Sequence, residues 1–414
     1  MKSVYLPCSG PVEIGDYLPV LDHPLFQRLR HTRQLGVNFL IFPGAQHTRF
    51  EHALGTLARL RKSGALRHAT PQQRRDLELF ALLHDIGHGP FSHQIEPVLS
   101  GDHHSRGQEC LSQLAGEISQ CGADPTAIAK MLGGQSPLRL WVTDRNLGAD
   151  KLDYLQRDAF HIGFAGAPDL EIVQQQTAWT EAGLALNEKF IEEGKRLQKF
   201  YSYLHQHGYL NKTALVAQRL LQRALHEELR ARGAGETATA SDEGALWTMT
   251  DSQLLAWLLE GRGRLARQLT RQLLERRLPR TAICIKPDGY AYVENAIGKP
   301  IAVLTWPRRQ LAQFSAKYAT MESIRRLENR LADAAGLPEG AVLLAAMPYF
   351  TKLLPHDLRI ANGGNHDYWL FDQDRDHRAS LESDYLRTFA VRIAVPENAR
   401  ARLASQPEKL LELL

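Results

Sequence analysis

The chain has 414 residues, 43% hydrophobic and 23% charged, which supplies enough apolar side chain for a buried core and excludes global disorder. A net charge of +4 with a pI near 8.8 favours anionic ligands mildly and falls short of the footprint of a dedicated nucleic-acid binder. Cys8, Cys110, Cys121 and Cys284 lie far apart, so neither a disulfide framework nor a thiolate zinc site is expected; no apolar run approaches the roughly 20 residues that span a bilayer, and a cytoplasmic chain without membrane insertion is expected.

The length suits two domains. Helical segments are predicted between Pro24 and Lys62, broken at Phe42-Pro43-Gly44. After the break, Phe50, Leu54, Leu57 and Leu60 recur at helical spacing and place His52 inside an amphipathic helix from Thr48 to Arg61. A helix from Gln72 to Asp85 stops at Gly87-His88-Gly89-Pro90, which puts His84 and Asp85 in its last turn. Further helices are predicted over Arg106–Glu117, Asp150–Asp158, Asn187–His205 and Lys212–Arg232, with a polar loop at Gly233–Ser241. From Thr281 the pattern turns to strand: Thr281–Ile285 and Tyr290–Val293 flank Pro287-Asp288-Gly289 as a hairpin would. Ala302–Thr305, Tyr368–Phe371 and Phe389–Val395 are further strands, around a helix at Met321–Ala335. The expected fold is mainly α: a helical core over residues 1–280 and a smaller α+β C-terminal domain over 281–414.

Neighbouring side chains on a helix diverge by about 100°, so His84 and Asp85 reach one ion only at a helix end, which is where they fall. With His52 from an earlier helix and Asp150 from a later one, they make two imidazoles and two carboxylates, a ligand set suited to Fe, Mn, Zn, Ni or Mg. Such a set leaves positions open for water and a phosphate oxygen, which is hydrolytic chemistry. His52 alone reads first as a surface group or a satisfied core residue. In Leu83-His84-Asp85-Ile86-Gly87-His88-Gly89-Pro90, three ionisable residues in five positions beside an apolar helix are costly to bury without a metal or an anion.

Several motifs occur in order: Phe26-Gln27-Arg28-Leu29-Arg30, Gln34-Leu35-Gly36, Phe42-Pro43-Gly44-Ala45, His47-Thr48-Arg49-Phe50-Glu51-His52, His84 to His93, and Asp150-Lys151-Leu152-Asp153-Tyr154 followed by Arg157-Asp158. In these the chain resembles the HD-domain deoxynucleoside triphosphate triphosphohydrolases over roughly residues 20 to 230; no sterile-alpha-motif domain is expected ahead of them. The resemblance implies His52, His84, Asp85 and Asp150 as ligands of a divalent ion, with room for an additional Mg alongside the substrate phosphates. It implies phosphate contacts from Arg49, His88, His104 and Lys151, the last of which reads otherwise as a solvated helix face. His93 matches the general acid and Glu96 its acidic partner, the alternative for Glu96 being a surface ion pair. His104 fits the pattern better than His103, which is set aside. Tyr154 and Asp158 match positions holding the sugar, and Gln34 and Leu35 positions beside sugar and base; Asp158 alone reads as a surface ion-pair residue.

The pattern departs where the family's arginine and its tyrosine-glutamine pair fall on His207, Leu215 and Val216, and where its N-terminal Asp-Pro motif is replaced by Leu6-Pro7-Cys8-Ser9. Asp22, Gln27 and Arg30 match positions around a regulatory site and serve equally to pack the fold. The leading expectation is hydrolysis of a deoxynucleoside triphosphate to deoxynucleoside and triphosphate by a homo-oligomer. The alternatives are an HD-type phosphomonoesterase or phosphodiesterase on another nucleotide, a cyclic dinucleotide or a nucleic-acid end, and a non-enzymatic nucleotide sensor. A nucleic-acid partner rests on the arginine-rich stretches Gly261–Arg267 and Arg271–Arg280, which read first as solvated helix faces.

Overall fold

The computed structural model describes residues 2–64, 66, 69–233, 240–294, 296–346, 354–363 and 367–414. Its central helices start and stop on local chemistry. Thr48 and Glu51 form a reciprocal capping box at the head of Arg49–Lys62, and Thr70 with Gln73 does the same for Pro71–Leu83, which also has proline in its first turn. The helix Ala149–Ile162 ends at Gly163 in the left-handed conformation, φ 78°. These three helices pack together through Leu54, Leu57, Leu77, Leu152 and Leu155, none of which exposes any surface. Each such leucine is worth about 2 kcal/mol of burial.

The expected helices are present with shifted ends. Pro24–Lys62 resolves into short turns and the helix Arg49–Lys62; Arg106–Glu117 into His103–Gln113 and Ala115–Gln120; Asn187–His205 into Ile191–Leu204, which runs on into a π-turn at His205–Tyr209. Lys212–Ala231 ends one residue before the expected Arg232, and Met321–Ala335 stands as read. The loop expected at Gly233–Ser241 falls mostly on 234–239, outside the described residues, and Ala240–Thr248 is helical.

Among the described residues, four strands lie inside the part read as helical: the hairpin Ser3–Leu6 with Gly10–Glu13, and the pair Thr177–Thr180 with Gly183–Asn187. The second pair continues into C-terminal strands, since Leu186 and Asn187 pair in parallel with Ile360 and Ala361, and Arg359–Ala361 pairs with Asp367–Trp369. The other four-stranded sheet runs Ala302–Trp306, Arg280–Pro287, Val391–Val395, Leu343–Ala346. The hairpin expected across Pro287-Asp288-Gly289 is absent: Ala291–Val293 is a 3-10 turn, and Arg280–Pro287 pairs instead with Ala302–Trp306 in parallel and Val391–Val395 antiparallel. A strand buried on both faces finds its partners through the core, whatever the turn beside it suggests. The segment Tyr368–Phe371 is strand only to Trp369 and then turns helical.

Candidate metal centre

His52 lies one turn into Arg49–Lys62, Asp150 in the first turn of Ala149–Ile162, and His84 and Asp85 just past Leu83, where the helix has ended. The helix crossings bring them together. His52 Nε2 is 3.1 Å from Asp150 Oδ1 and 3.6 Å from Asp85 Oδ2; His84 Nε2 is 3.5 Å from Asp85 Oδ2 and 3.8 Å from Asp150 Oδ1. Both Nε2 atoms are buried without a hydrogen-bond partner, while the opposite ring nitrogens are engaged: His52 Nδ1 donates to Asp153 Oδ2 at 2.9 Å and His84 Nδ1 to the Ala81 carbonyl at 2.9 Å. Fixing Nδ1–H aims each Nε2 lone pair inward, as a metal-binding imidazole requires. The residues present therefore fit a divalent ion, with His52, His84, Asp85 and Asp150 as its holders.

The supports of this cluster are deep. Asp153 is gripped by Arg157, whose Nε and Nη2 donate at 2.9 Å to its two oxygens; Arg157 in turn donates to the Pro7 carbonyl at 3.1 Å and Ser9 Oγ at 3.0 Å, so the N-terminal hairpin turn braces His52 through two side chains. Burial disfavours an ionised Asp85, but His84, Arg49 and His88 outweigh it and hold its carboxyl well below the usual range. Arg49 pairs with Asp85 through Nη1 and donates through Nε to Ser92 Oγ at 2.9 Å.

Beside this lies a second cluster. Phe91 and Ser92 both take positive φ, 57° and 55°, a costly pair for residues with side chains. Asp251 holds the turn by accepting from the Phe91 amide at 2.7 Å. The turn brings Glu96 back to His88: Glu96 Oε1 lies 3.1 Å from His93 Nδ1, 3.0 Å from His103 Nδ1 and 3.3 Å from His88 Nδ1. His88 Nε2 faces Asp85 Oδ1 at 3.5 Å, which links the two clusters. Burial pushes the Glu96 carboxyl up, but the ring nitrogens of His103, His88 and His93 outweigh it and hold it far below the usual carboxylate range. Burial, with Arg49 beside it, lowers His88 to about 3 and keeps it neutral.

Position matching selected His104 and set His103 aside; in the fold it is His103 that reaches Glu96, with its ring stacked 4.0 Å from that of His88, while His104 sits exposed against the far side of His103. Lys151 is buried, with its ammonium 3.1 Å from the centre of the Tyr201 ring and 5.2 Å from that of Tyr154, and burial drives its pKa well below the ordinary lysine value. It is a desolvated amine next to Asp150, not a solvated helix face. Asp158 is also buried: it takes His47 Nε2 at 2.7 Å and the Tyr209 hydroxyl at 2.6 Å. Gln34 has its side-chain oxygen buried without a partner, and the Leu35 carbonyl accepts from Gln94 at 3.1 Å.

Asp153, His103, His47, Tyr209 and Asp251 thus belong to the site's architecture without having been singled out as site residues. Asp153 and His47 carried a sequence signal, lying within the Asp150–Tyr154 and His47–His52 motifs. His207 is exposed against Tyr203, and Val216 is buried in the core that holds Val37 and Phe91. Gln27 donates to the Leu21 carbonyl at 2.8 Å and Arg30 lies over the Phe50 ring at 3.5 Å, so both pack the fold. The arginine-rich helix Arg264–Leu274 buries Ala266, Leu269, Thr270 and Leu273 and turns its arginines outward; Arg276, Arg277, Arg280 and Arg400 line a separate cavity of about 710 Å³ that includes no residue of the His/Asp clusters.

Residues 49–135 match the family model described as HD domain. It is 33% identical over 226 residues to the uncharacterized protein YwfO of Bacillus subtilis, covering 49% of this chain and 51% of that one. It is 32% identical over 219 residues to an uncharacterized protein of Methanocaldococcus jannaschii, 51% and 46% respectively. With the human deoxynucleoside triphosphate triphosphohydrolase SAMHD1 it shares 27% identity over 380 residues, covering 73% of this chain and 60% of that enzyme. The resemblance read from the motifs is therefore present in whole-sequence comparison, although the matches span only about half the length of these curated relatives. In fold, the chain superposes on a Bacteroides thetaiotaomicron phosphohydrolase with a TM-score of 0.70 at 19% identity, covering 96% of this chain and 100% of that one. A hypothetical protein from Aquifex aeolicus gives the same score at 20% identity, covering 98% and 100%. Among the described residues no helix is long and apolar enough to cross a membrane.

Proposed function

We propose that this chain is a metal-dependent phosphohydrolase that converts deoxynucleoside triphosphates to deoxynucleoside and inorganic triphosphate, acting as a cytoplasmic homo-oligomer. The observation that carries the reading is the pair of buried, partnerless Nε2 atoms of His52 and His84, aimed at Asp85 and Asp150. A divalent ion held by these four residues would acidify a water and polarise a phosphoryl oxygen. Arg49, which pairs with Asp85, and Lys151, buried next to Asp150, would donate hydrogen bonds to the phosphate oxygens on which charge builds. His93, whose side chain is 62% exposed and whose Nδ1 is turned to Glu96, would donate its other ring proton to the leaving 5′-oxygen, a contribution of about 10²- to 10⁴-fold in rate. Asp158, with His47 and Tyr209 fixing both its oxygens, would read the sugar edge.

Incubating metal-loaded protein with each deoxynucleoside triphosphate, singly and in combination, is expected to release triphosphate in one piece. Release of single phosphate or pyrophosphate would point to another HD-type esterase, and no release under any combination would overturn the reading.

A further inference from the structure

The helix Arg264–Leu274 buries one face and turns the other into a cationic stripe. Arg264, Arg267 and Arg271 recur at i, i+3 and i+7, so their side chains share one side of the helix over about 10 Å of its axis. They line a cavity of about 320 Å³ that shares Gln268 and Arg277 with the larger one of about 710 Å³, where Arg276, Arg280 and Arg400 join them. The two cavities form one trough. Its seven guanidinium groups meet two carboxylates: Glu275 pairs with Arg277 at 2.5 Å, and Glu397 stands 3.8 Å from Arg280 and 3.5 Å from Arg400. That surplus exceeds the +4 of the whole chain, so the positive charge of the molecule is gathered here and not spread over its surface. Arg264, Arg271 and Arg276 have no carboxylate within ion-pair reach among the described residues. Backbone fixes two of the group: Arg276, in the left-handed region at φ 55°, donates through Nε to the Leu40 carbonyl at 2.7 Å, and Arg400 donates through Nε to the Thr281 carbonyl at 3.0 Å.

A trough of this kind calls for a ligand with closely spaced negative charge. Guanidinium stays charged at any ordinary pH, and its planar fork meets phosphate oxygens two at a time. Among the described residues no aromatic ring lines the trough; its apolar surface comes from Leu278, Pro279 and Pro396. A single-stranded nucleic acid binds largely by stacking its bases on aromatic side chains, and a nucleotide needs a mostly apolar pocket for its base. A chain of condensed phosphates has neither sugar nor base and presents oxygen along its whole length. We propose that the trough binds linear inorganic polyphosphate. It shares no residue with the centre at His52, His84, Asp85 and Asp150, so the inference does not rest on the hydrolytic reading.

The test is calorimetric titration of the full chain, kept in chelator so that no ion contributes, with linear polyphosphate and with a single-stranded oligothymidylate of equal charge. Wild-type protein is expected to bind polyphosphate saturably and the oligonucleotide at least about tenfold more weakly. Arg264→Gln/Arg271→Gln/Arg277→Gln, all at exposed positions, is expected to weaken polyphosphate binding about 10- to 100-fold and to flatten its salt dependence. Arg196→Gln/Arg326→Gln/Arg378→Gln removes the same charge from exposed positions outside the trough and is expected to bind as wild type does. Circular dichroism verifies that both variants fold. Equal losses in the two triple variants would mean that net charge alone attracts the polymer. An oligonucleotide bound as tightly as polyphosphate would make the trough a nucleic-acid groove, and wild type without saturable binding would leave no site; any of these three results overturns the proposal.

Discussion

At His52 the competition is between burial and two carboxylates. Burial opposes the imidazolium, but the carboxylates of Asp150 and Asp153 outweigh it and raise the pKa to about 10 in the ion-free chain. The folded value lies above the ordinary one near 6.5, so the charged ring stabilises ion-free protein fully below pH 6.5, and this contribution is lost as pH climbs toward 10. An ion needs the neutral Nε2 and must displace that proton, so its apparent affinity is expected to weaken about tenfold for each pH unit lowered from 8.5 to 6.5. Competition titration against a chelating dye measures this directly. Asp153→Asn removes one of the two carboxylates and loosens the ring, and is expected to weaken ion binding about 10- to 100-fold while flattening the pH slope. A wild-type affinity that does not move with pH would mean that His52 is not a ligand. These residues were legible in sequence because a His-Asp pair at a helix end carries its own argument. Asp153 sits one turn past Asp150, yet its grip on His52 depends on a helix crossing that no local pattern encodes.

Among the elements, the contact that sets His103 against His88 runs through two glycines. A β-carbon at Gly87 would land on the carbonyl of His103 and the backbone of Gly107, so the turn after Asp85 and the helix His103–Gln113 touch main chain to main chain. Gly87→Ala is therefore expected to push that helix outward, costing about 1–3 kcal/mol by overpacking and separating His103 from Glu96. Urea denaturation reads the first effect. Loss of the shifted NMR resonances of His88 and His103, whose rings stack at 4.0 Å, reads the second; unchanged spectra would show that the helix is not held there by the glycine. The sequence favoured His104 on its spacing to Gly107, into which this contact does not enter. Spacing within a motif identifies which residues recur together, but which of two adjacent histidines faces inward is decided by the azimuth of a docked helix. The missed strands at Thr177–Asn187 have a related cause, since their third partner, Arg359–Ala361, lies far along the chain.

For the whole molecule, the strand onset at residue 280 is a natural place to cut, and the packing argues against cutting there. Leu358, Ile360 and Leu370 are buried in the same core as the His52 helix, worth roughly 2 kcal/mol each. The Asn146 and Gln198 amides donate to the His356 carbonyl at 3.1 and 2.7 Å, and His377 bonds Gln198 at 2.8 Å. On the other side, Glu328 accepts from Arg219 at 2.9 Å and Arg223 at 2.6 Å, all three buried, and ties Lys212–Ala231 to the C-terminal helix Met321–Ala335. Removing residues 281–414 would uncover that apolar surface and strand two buried guanidinium groups, a loss comparable with the about 5–15 kcal/mol by which domains are stable. A chain ending at 280 is thus expected to aggregate or to melt without a cooperative transition, and to lose ion binding at His52 and His84 despite retaining every proposed ligand. A soluble 1–280 fragment that unfolds cooperatively and still binds the ion would show that the helical part folds alone. Glu328→Gln in the full chain provides the graded version: with one buried carboxylate neutralised between two arginines, stability should fall by about 3–5 kcal/mol while the cluster at His52 and His84 still binds its ion.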